Sequence, residues 1–244
     1  MKMKIIICSI SLFIAFSSIS FSQSVMNFQT GTAVEVQAGA DICADQININ
    51  GTFSGSGTIC GGSVYILNLT LFIQGFYNSS IDIMVPDTLT AYLRNSFSPY
   101  AIVDSAKSML NLTGSGSFLF YNAANGTNYY VVTKHRNALE TWSSTATPFV
   151  TGEMIYNFTP AANNAYGSNE ILIDLSPVKF AIYSGDINHD GFINLTDIID
   201  VYNGGANFLT GYVGTDLTGD NIVDLTDLII TYNNSTNFVT LVRP

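Results

Sequence analysis

The chain has 244 residues, 47% of them apolar and only 11% charged, with 8 Lys+Arg against 18 Asp+Glu and a formal charge of −10. This is a globular composition with apolar side chains enough for more than one core, not that of a disordered chain. The negative balance repels phosphate and excludes a basic nucleic-acid-binding surface, and so low a charged fraction argues against an ordinary cytoplasmic enzyme, where about a quarter of residues are charged.

Lys2 and Lys4 precede an apolar run from Ile5 to Phe16, and Ser20-Phe21-Ser22 places small residues at −3 and −1 before Gln23. Residues 1–22 therefore read as a cleaved signal peptide, the apolar run being shorter than the roughly 20 residues that span a bilayer. Cleavage removes Lys2 and Lys4, leaving 6 basic against 18 acidic residues. No later segment is long and apolar enough to be transmembrane, so the mature chain is expected to be secreted or held at the cell surface. Cys43 and Cys60 are then the cysteines that remain, an even pair in an oxidising compartment. A bridge between them would stabilise by about 3 kcal/mol on the chain-entropy model. With no Cys-x-x-Cys spacing and two histidines in the whole chain, the pair reads as a structural staple and not a metal or redox site.

Residues 25–62 alternate short apolar pairs with Gly, Ser and Thr, as in Ala33-Val34-Glu35-Val36 and Gly55-Ser56-Gly57-Thr58, which predicts a segment of short β-strands and tight turns. From 64 to 178 the pattern is clearer. Val64 to Ile73, Thr88 to Leu93, Ala101 to Lys107, Ser117 to Tyr121, Tyr129 to Lys134, Met154 to Phe158 and Ile171 to Leu175 are β-branched or aromatic runs. Turn residues such as Pro86-Asp87, Gly114-Ser115-Gly116 and Asn125-Gly126 separate them, so an antiparallel β-sandwich is predicted. The stretch Asn125-Gly126-Thr127-Asn128-Tyr129-Tyr130-Val131-Val132 resembles the turn and core strand of transthyretin-like and immunoglobulin-like modules, a resemblance of fold class that implies no activity.

Residues 180–244 repeat themselves with a period of 30. Asp186-Ile-Asn188-His-Asp190-Gly191-Phe-Ile193-Asn194-Leu195-Thr196-Asp197 is echoed by Asp216-Leu-Thr218-Gly-Asp220-Asn221-Ile-Val223-Asp224-Leu225-Thr226-Asp227, and the echo continues through Tyr202/Tyr232, Asn207/Asn237 and Phe208/Phe238. Calcium takes six to eight oxygen ligands, and a 12-residue loop supplies them from positions 1, 3, 5, 7, 9 and 12. In the first copy these are Asp186, Asn188, Asp190, the Phe192 carbonyl, Asn194 and Asp197; in the second, Asp216, Thr218, Asp220, the Ile222 carbonyl, Asp224 and Asp227. Gly191 supplies the positive φ wanted at position 6, where Asn221 supplies it less cheaply, and Ile193 at position 8 ties the loop to a core. Eight acidic residues fall between Asp186 and Asp227, and no Lys or Arg lies between Lys179 and Arg243, so without cations the loops would repel themselves. The plainer reading is a pair of Asx-rich helix caps at Asn194 and Asp224, which is compatible with metal binding because position 9 is also the N-cap.

On these residues the tail resembles a type I dockerin, a duplicated loop-helix module of the F-hand kind. The resemblance covers the last quarter of the chain and includes Asp at position 12. It implies two bound Ca²⁺ ions, a small α-helical domain over 180–244, and attachment to a cohesin-like or other surface scaffold protein. Thr218 and Asn221 depart from the pattern, and the first loop is expected to bind the tighter. Both helices are expected to be short, ending near Asn203-Gly204-Gly205 and Asn233-Asn234. Because dockerin positions 10 and 11 often face the partner, the resemblance places Leu195, Thr196, Leu225 and Thr226 on the docking surface; the alternative is that each Leu packs inward and each Thr only caps its helix.

No catalytic constellation is found. His135 reads as the polar surface end of a strand and His189 as a solvated non-ligand in the first loop, while the carboxylates outside the repeat stand singly. Trp142 could face a sugar but is more simply core. The expected protein is mainly β, exported and non-catalytic, with a dockerin-like tail that attaches it to a partner; the alternative is a structural or adhesive surface component whose tail calcium only rigidifies.

Overall fold

The computed structural model describes residues 25–29, 33–37, 41–43, 46–49, 52–54, 58–60 and 64–244. The expected signal peptide lies outside them. The chain divides into two compact units, Met1–Ser63 and Val64–Pro244.

In the first unit β1 (Val25–Phe28), β2 (Ala33–Glu35), β3 (Asp41–Cys43), β4 (Gln46–Ile49), β5 (Thr52–Ser54) and β6 (Thr58–Cys60) are three to four residues long. Each of the first three pairs in parallel with the strand three places on: β1 with β4, β2 with β5, β3 with β6. That is the connectivity of two successive turns of a coil, and it differs from hairpins, which the turn-rich sequence would equally allow. Cys43 and Cys60 are register partners in β3 and β6. Neighbouring strands lie about 4.8 Å apart and disulfides span Cα separations of about 4.4–6.8 Å, so the register suits the expected bridge. Mass spectrometry of the alkylated, unreduced mature protein is expected to find neither thiol free; alkylation of both would remove the staple.

The second unit begins with β7 (Tyr65–Thr70), followed by the two-residue β8 (Tyr77–Asn78) and β9 (Ile83–Met84). The long strands β10 (Asp87–Asn95) and β11 (Ile102–Leu110) come next, then β12 (Ser115–Phe120) and β13 (Asn128–Lys134). Short β14 (Thr141–Trp142) and β15 (Thr147–Pro148) precede β16 (Glu153–Asn157), β17 (Ile171–Leu175) and β18 (Val178–Ala181). One sheet runs β11-β10-β13-β14 with β15 also on β13, and the other β12-β7-β16. Strict alternation of burial along β7 and β10 makes each a two-faced strand. Their inward residues, Leu67 and Leu69 from one sheet and Leu89, Ala91 and Leu93 from the other, join Phe118, Phe120, Val131 and Phe149 in one core.

All seven predicted strand runs form strands, but the sandwich is not wholly antiparallel: β16 pairs with β7 in parallel, Glu153 opposite Ile66. The last predicted run, β17, joins neither sandwich sheet and makes a ribbon with β18. Trp142 is buried, its ring edge-on to Tyr130, with Arg94 over its face and its Nε1 donating to Glu140 Oε1 at 2.7 Å, so it is not offered to a sugar. Glu170 is buried with no hydrogen-bond partner on either oxygen, and burial pushes it up to about 9. Among the described residues no helix is long and apolar enough to cross a membrane.

Candidate functional site in the duplicated tail

The two repeats fold alike. Helix α1 (Leu195–Ala206) starts at the N-cap Asn194, whose side chain accepts from Thr196 N–H while Asp197 accepts from Asn194 N–H; α2 (Leu225–Thr236) repeats this with Asp224, Thr226 and Asp227. These reciprocal bonds satisfy helix-end donors that would otherwise be orphaned. The helices are short, as expected, and end at Ala206 and Thr236, one and two residues beyond Gly205 and Asn234. Gly204 is a packing position, since a Cβ there would meet Thr215 Oγ1 at 3.0 Å and Val223 Cγ1 at 3.1 Å. Asn234 is buried and donates to Gln74 Oε1 at 2.6 Å and to the Ser184 carbonyl at 2.7 Å.

Val201, Leu217 and Val223 form the tail's own core, with Ile187, Val213, Leu228 and Ile230 around it. Each loop is zipped to the segment that follows the other copy's helix. Val223 N–H donates to Leu209 O and Ile193 N–H to Val239 O, both at 3.0 Å, and the bridges Thr210–Ile222 and Phe192–Thr240 flank them. Since Ile222 and Val223 fall 30 residues after Phe192 and Ile193, the arrangement is an approximate two-fold.

Position 1 of each loop is buried. Asp186 Oδ2 accepts from Gly191 N–H at 3.2 Å while its Oδ1 has no partner. Burial, and then the Asp197 carboxylate, push Asp186 up to about 6, with Asp190 adding to the pressure and the Gly191 N–H opposing it. Asp216 is better satisfied: Oδ1 accepts from Gly219 N–H at 2.7 Å, and Oδ2 from Asn221 N–H at 3.2 Å and from Arg136 at 3.5 Å. At position 12, Asp197 accepts from the N–H groups of Ile187 and Asn194 at 2.8 and 3.0 Å. Asp227 accepts from those of Leu217 and Asp224 at 2.7 and 2.9 Å. Asn188 Oδ1 is turned onto Asp190 N–H, Asp190 Oδ1 onto Phe192 N–H and Asp220 Oδ1 onto Ile222 N–H, each at 2.9 Å. Thr218 Oγ1 leans on Asp216 Oδ1 at 3.4 Å.

Gly191 and Asn221 both take the positive φ expected at position 6, and position 4 is left-handed too, with His189 at φ 58° and Gly219 at φ 75°. The glycine in the second copy was the sequence signal for that. Among the described residues no three or more His, Cys, Asp and Glu side chains stand close enough together to hold a metal ion. The expected donor set mixes these carboxylates with Asn, Thr and backbone oxygens, and the crowded Asp186 carboxylate, with its buried Oδ1 unpartnered, is the feature that fits a hard cation.

Leu195 and Leu225 are 67% and 66% exposed, and Thr196 and Thr226 are exposed with them, so neither Leu packs inward. The exposed apolar surface extends well beyond these pairs. A groove lined by Tyr202, Phe208, Ile222 and Leu225 joins the end of α1 to the start of α2.

A buried clamp ties the second repeat to the sandwich, and the sequence reading missed it. Asp87, at the start of β10, accepts from Arg136 Nε at 3.0 Å and from Tyr212 Oη at 2.6 Å, with His135 Nε2 at 3.1 Å. Burial alone would raise the Asp87 carboxyl, but contact with His135 and the hydrogen bonds from Tyr212 and Thr88 outweigh it and hold it well below the usual carboxylate range. His135 is therefore interior, its Nδ1 paired with Asn137 Oδ1 and its ring edge-on to Phe76, not at the surface. Arg136 also donates to the Val213 carbonyl, and Asn137 Nδ2 donates to the Asp216 carbonyl at 2.6 Å. Gly75, at φ 87°, lets the sandwich backbone approach the Leu217 carbonyl where a Cβ would collide. His189 is exposed, as expected.

No protein-family model matches the chain. No curated protein matches it either. Two solved type II Cohesin-X-Dockerin complexes from Acetivibrio cellulolyticus, a C-terminal and an N-terminal interface mutant, align at 17% identity. The first covers 72% of this chain and 100% of its own at a TM-score of 0.39, the second 73% and 98% at 0.40. Likeness at that level is too weak to assign a fold or a partner.

Proposed function

We propose that the chain is an exported, non-catalytic attachment protein whose duplicated tail binds two Ca²⁺ ions and docks a cohesin-like or other scaffold protein. In the first loop the metal would be held by Asp186, Asn188, Asp190, Asn194, Asp197 and the Phe192 carbonyl. In the second it would be held by Asp216, Thr218, Asp220, Asp224, Asp227 and the Ile222 carbonyl. Calcium would supply the positive charge that offsets the crowding of the buried Asp186 carboxylate by Asp197. The observation that carries the reading is the buried Asp186 Oδ1 with no partner in a loop of like charges.

Docking is supported by the matched exposure of Leu195-Thr196 and Leu225-Thr226 on an approximate two-fold. The clamp through Arg136 favours the alternative, a tail that calcium merely rigidifies against the sandwich, and the two readings separate in one experiment. The mature protein is used to capture partners from the envelope and culture fractions of the source organism, with calcium or with chelator. Replacing Leu195-Thr196 or Leu225-Thr226 alone by Asp-Asp is expected to leave most calcium-dependent capture, because the other face still serves. Replacing both is expected to abolish it while calcium uptake survives, since positions 10 and 11 contribute no ligand oxygen. Unchanged capture by the double replacement returns the tail to the structural role.

A further inference from the structure

Each tail helix ends in a full Schellman turn. Phe208 N–H donates to Gly205 O and Leu209 N–H to Gly204 O, both at 3.0 Å, and Phe238 and Val239 repeat this with Ser235 and Asn234 at 3.0 and 3.1 Å. The residue at the left-handed position of such a turn is most often glycine, because a Cβ is strained there. Here it is phenylalanine in both copies, at φ 53° and 54°. These side chains are 86% and 88% exposed. A bulky residue in a strained backbone with no packing in return is a cost to the fold, incurred twice at equivalent places, and strain of this kind concentrates at functional sites.

Position follows the same logic. Phe208 shares its groove with Tyr202, Ile222 and Leu225, so the first copy's phenylalanine flanks the second copy's Leu-Thr pair. The Phe192–Thr240 bridge, equivalent to Ile222–Thr210, puts Phe238 in the same relation to the first loop. The tail's own charge has one sign, eight aspartates and no Lys or Arg between Lys179 and Arg243, and two calcium ions would offset half of it. A second copy would bring the same negative charge to the contact.

Resting on the docking reading above, we propose that Phe208 and Phe238 are the anchors of the two docking faces. Each inserts into an apolar pocket rimmed by Lys or Arg on a protein partner. Aromatic residues seated in desolvated pockets commonly dominate such contacts, and complementary charge sets partner choice.

The test uses the full mature chain in calcium, with the photoreactive p-benzoylphenylalanine placed at position 208, 238, 195 or 225, and at Leu175 as an exposed control outside the tail, against the envelope and culture fractions of the source organism. Positions 208 and 238 are expected to give the same protein adduct, absent from the control, whose partner-side peptide is apolar with Lys or Arg beside it and whose yield falls in 1 M NaCl. Combining Phe208→Gly with Phe238→Gly is expected to remove at least nine-tenths of the adduct formed from positions 195 and 225, while the thermal midpoint stays level or rises as strain is relieved. A lower midpoint would assign the phenylalanines to the fold and overturn the inference. So would adducts only with a second copy or with lipid. If positions 195 and 225 give a partner and 208 and 238 do not, docking stands and the anchors fall. No protein adduct from any of the four removes both.

Discussion

Replacing Asp87 by alanine is expected to destabilise the 64–244 unit by about 3 kcal/mol, because it removes the closer of the two carboxylates on the largely buried Arg136 guanidinium and leaves only the longer contact to Asp216 at 3.5 Å. Tyr212 Oη loses its acceptor in the same stroke. Denaturant unfolding should show the loss as a lower midpoint at unchanged slope. Arg136→Ala is expected to cost a comparable amount by another route. It frees the Val213 carbonyl and empties the space between the Phe76 and Tyr212 rings, which lie 5.4 and 4.4 Å from the guanidinium carbon. The acid dependence has a definite sign. Asp87 is held below its ordinary 3.8, so its stabilisation is complete above that pH and is lost as the pH falls through the lower folded value. Asp87→Asn should therefore be less stable than the parent at pH 7 and converge on it toward pH 2. A constant difference across that range would mean that shape, not charge, is what Asp87 supplies.

Chelation is the second large effect. A cation bound by the folded loops and not by the unfolded chain stabilises by about 2.7 kcal/mol per site at a hundredfold excess over the dissociation constant. Two loops give about twice that. The hydrogen bonds joining the second repeat to Gln74, Arg136, Asn137 and Ser184 carry the effect inward, so loss of metal from the second loop is expected to loosen contacts of the sandwich as well as the tail. Hydrogen exchange with and without chelator should show reduced protection at Leu217 and Thr218, whose N–H groups bond Asp227, and also in the sandwich at Gln74, whose N–H bonds the Ile182 carbonyl. If exchange quickens in the tail alone, the clamp does not transmit.

What the sequence disclosed was local. Alternation along Tyr65–Thr70 and Asp87–Asn95 announced two-faced strands because one face of each is packed. The 30-residue echo announced the paired loops because it fixes both ligand types and caps. Long-range pairing left no such trace. The parallel join of β7 to β16 connects residues almost ninety positions apart, and nothing in Glu153–Asn157 distinguishes a parallel neighbour from an antiparallel one. The parallel coil of the first unit was hidden in the same way. Gly204 and Asn234 looked like helix stops because these residue types usually are; their real roles, close approach and a buried amide bridge, need a neighbour that the sequence does not name. His135 looked superficial beside Lys134 and Arg136, yet its partner Asp87 lies 48 residues away. Phe208 and Phe238 were visible as an echo, while their exposure and strained backbone were not.

The most direct test of the account is a calorimetric titration of the metal-stripped mature protein with calcium chloride, alongside Asp186→Ala and Asp216→Ala variants. The parent is expected to take up two ions. The tighter site should vanish with Asp186→Ala, since Asp186 offers a free buried oxygen where Asp216 is already engaged by Arg136 and by backbone N–H groups. The weaker site should vanish with Asp216→Ala. A parent that takes up no calcium, while remaining folded by circular dichroism, would contradict the account at its centre.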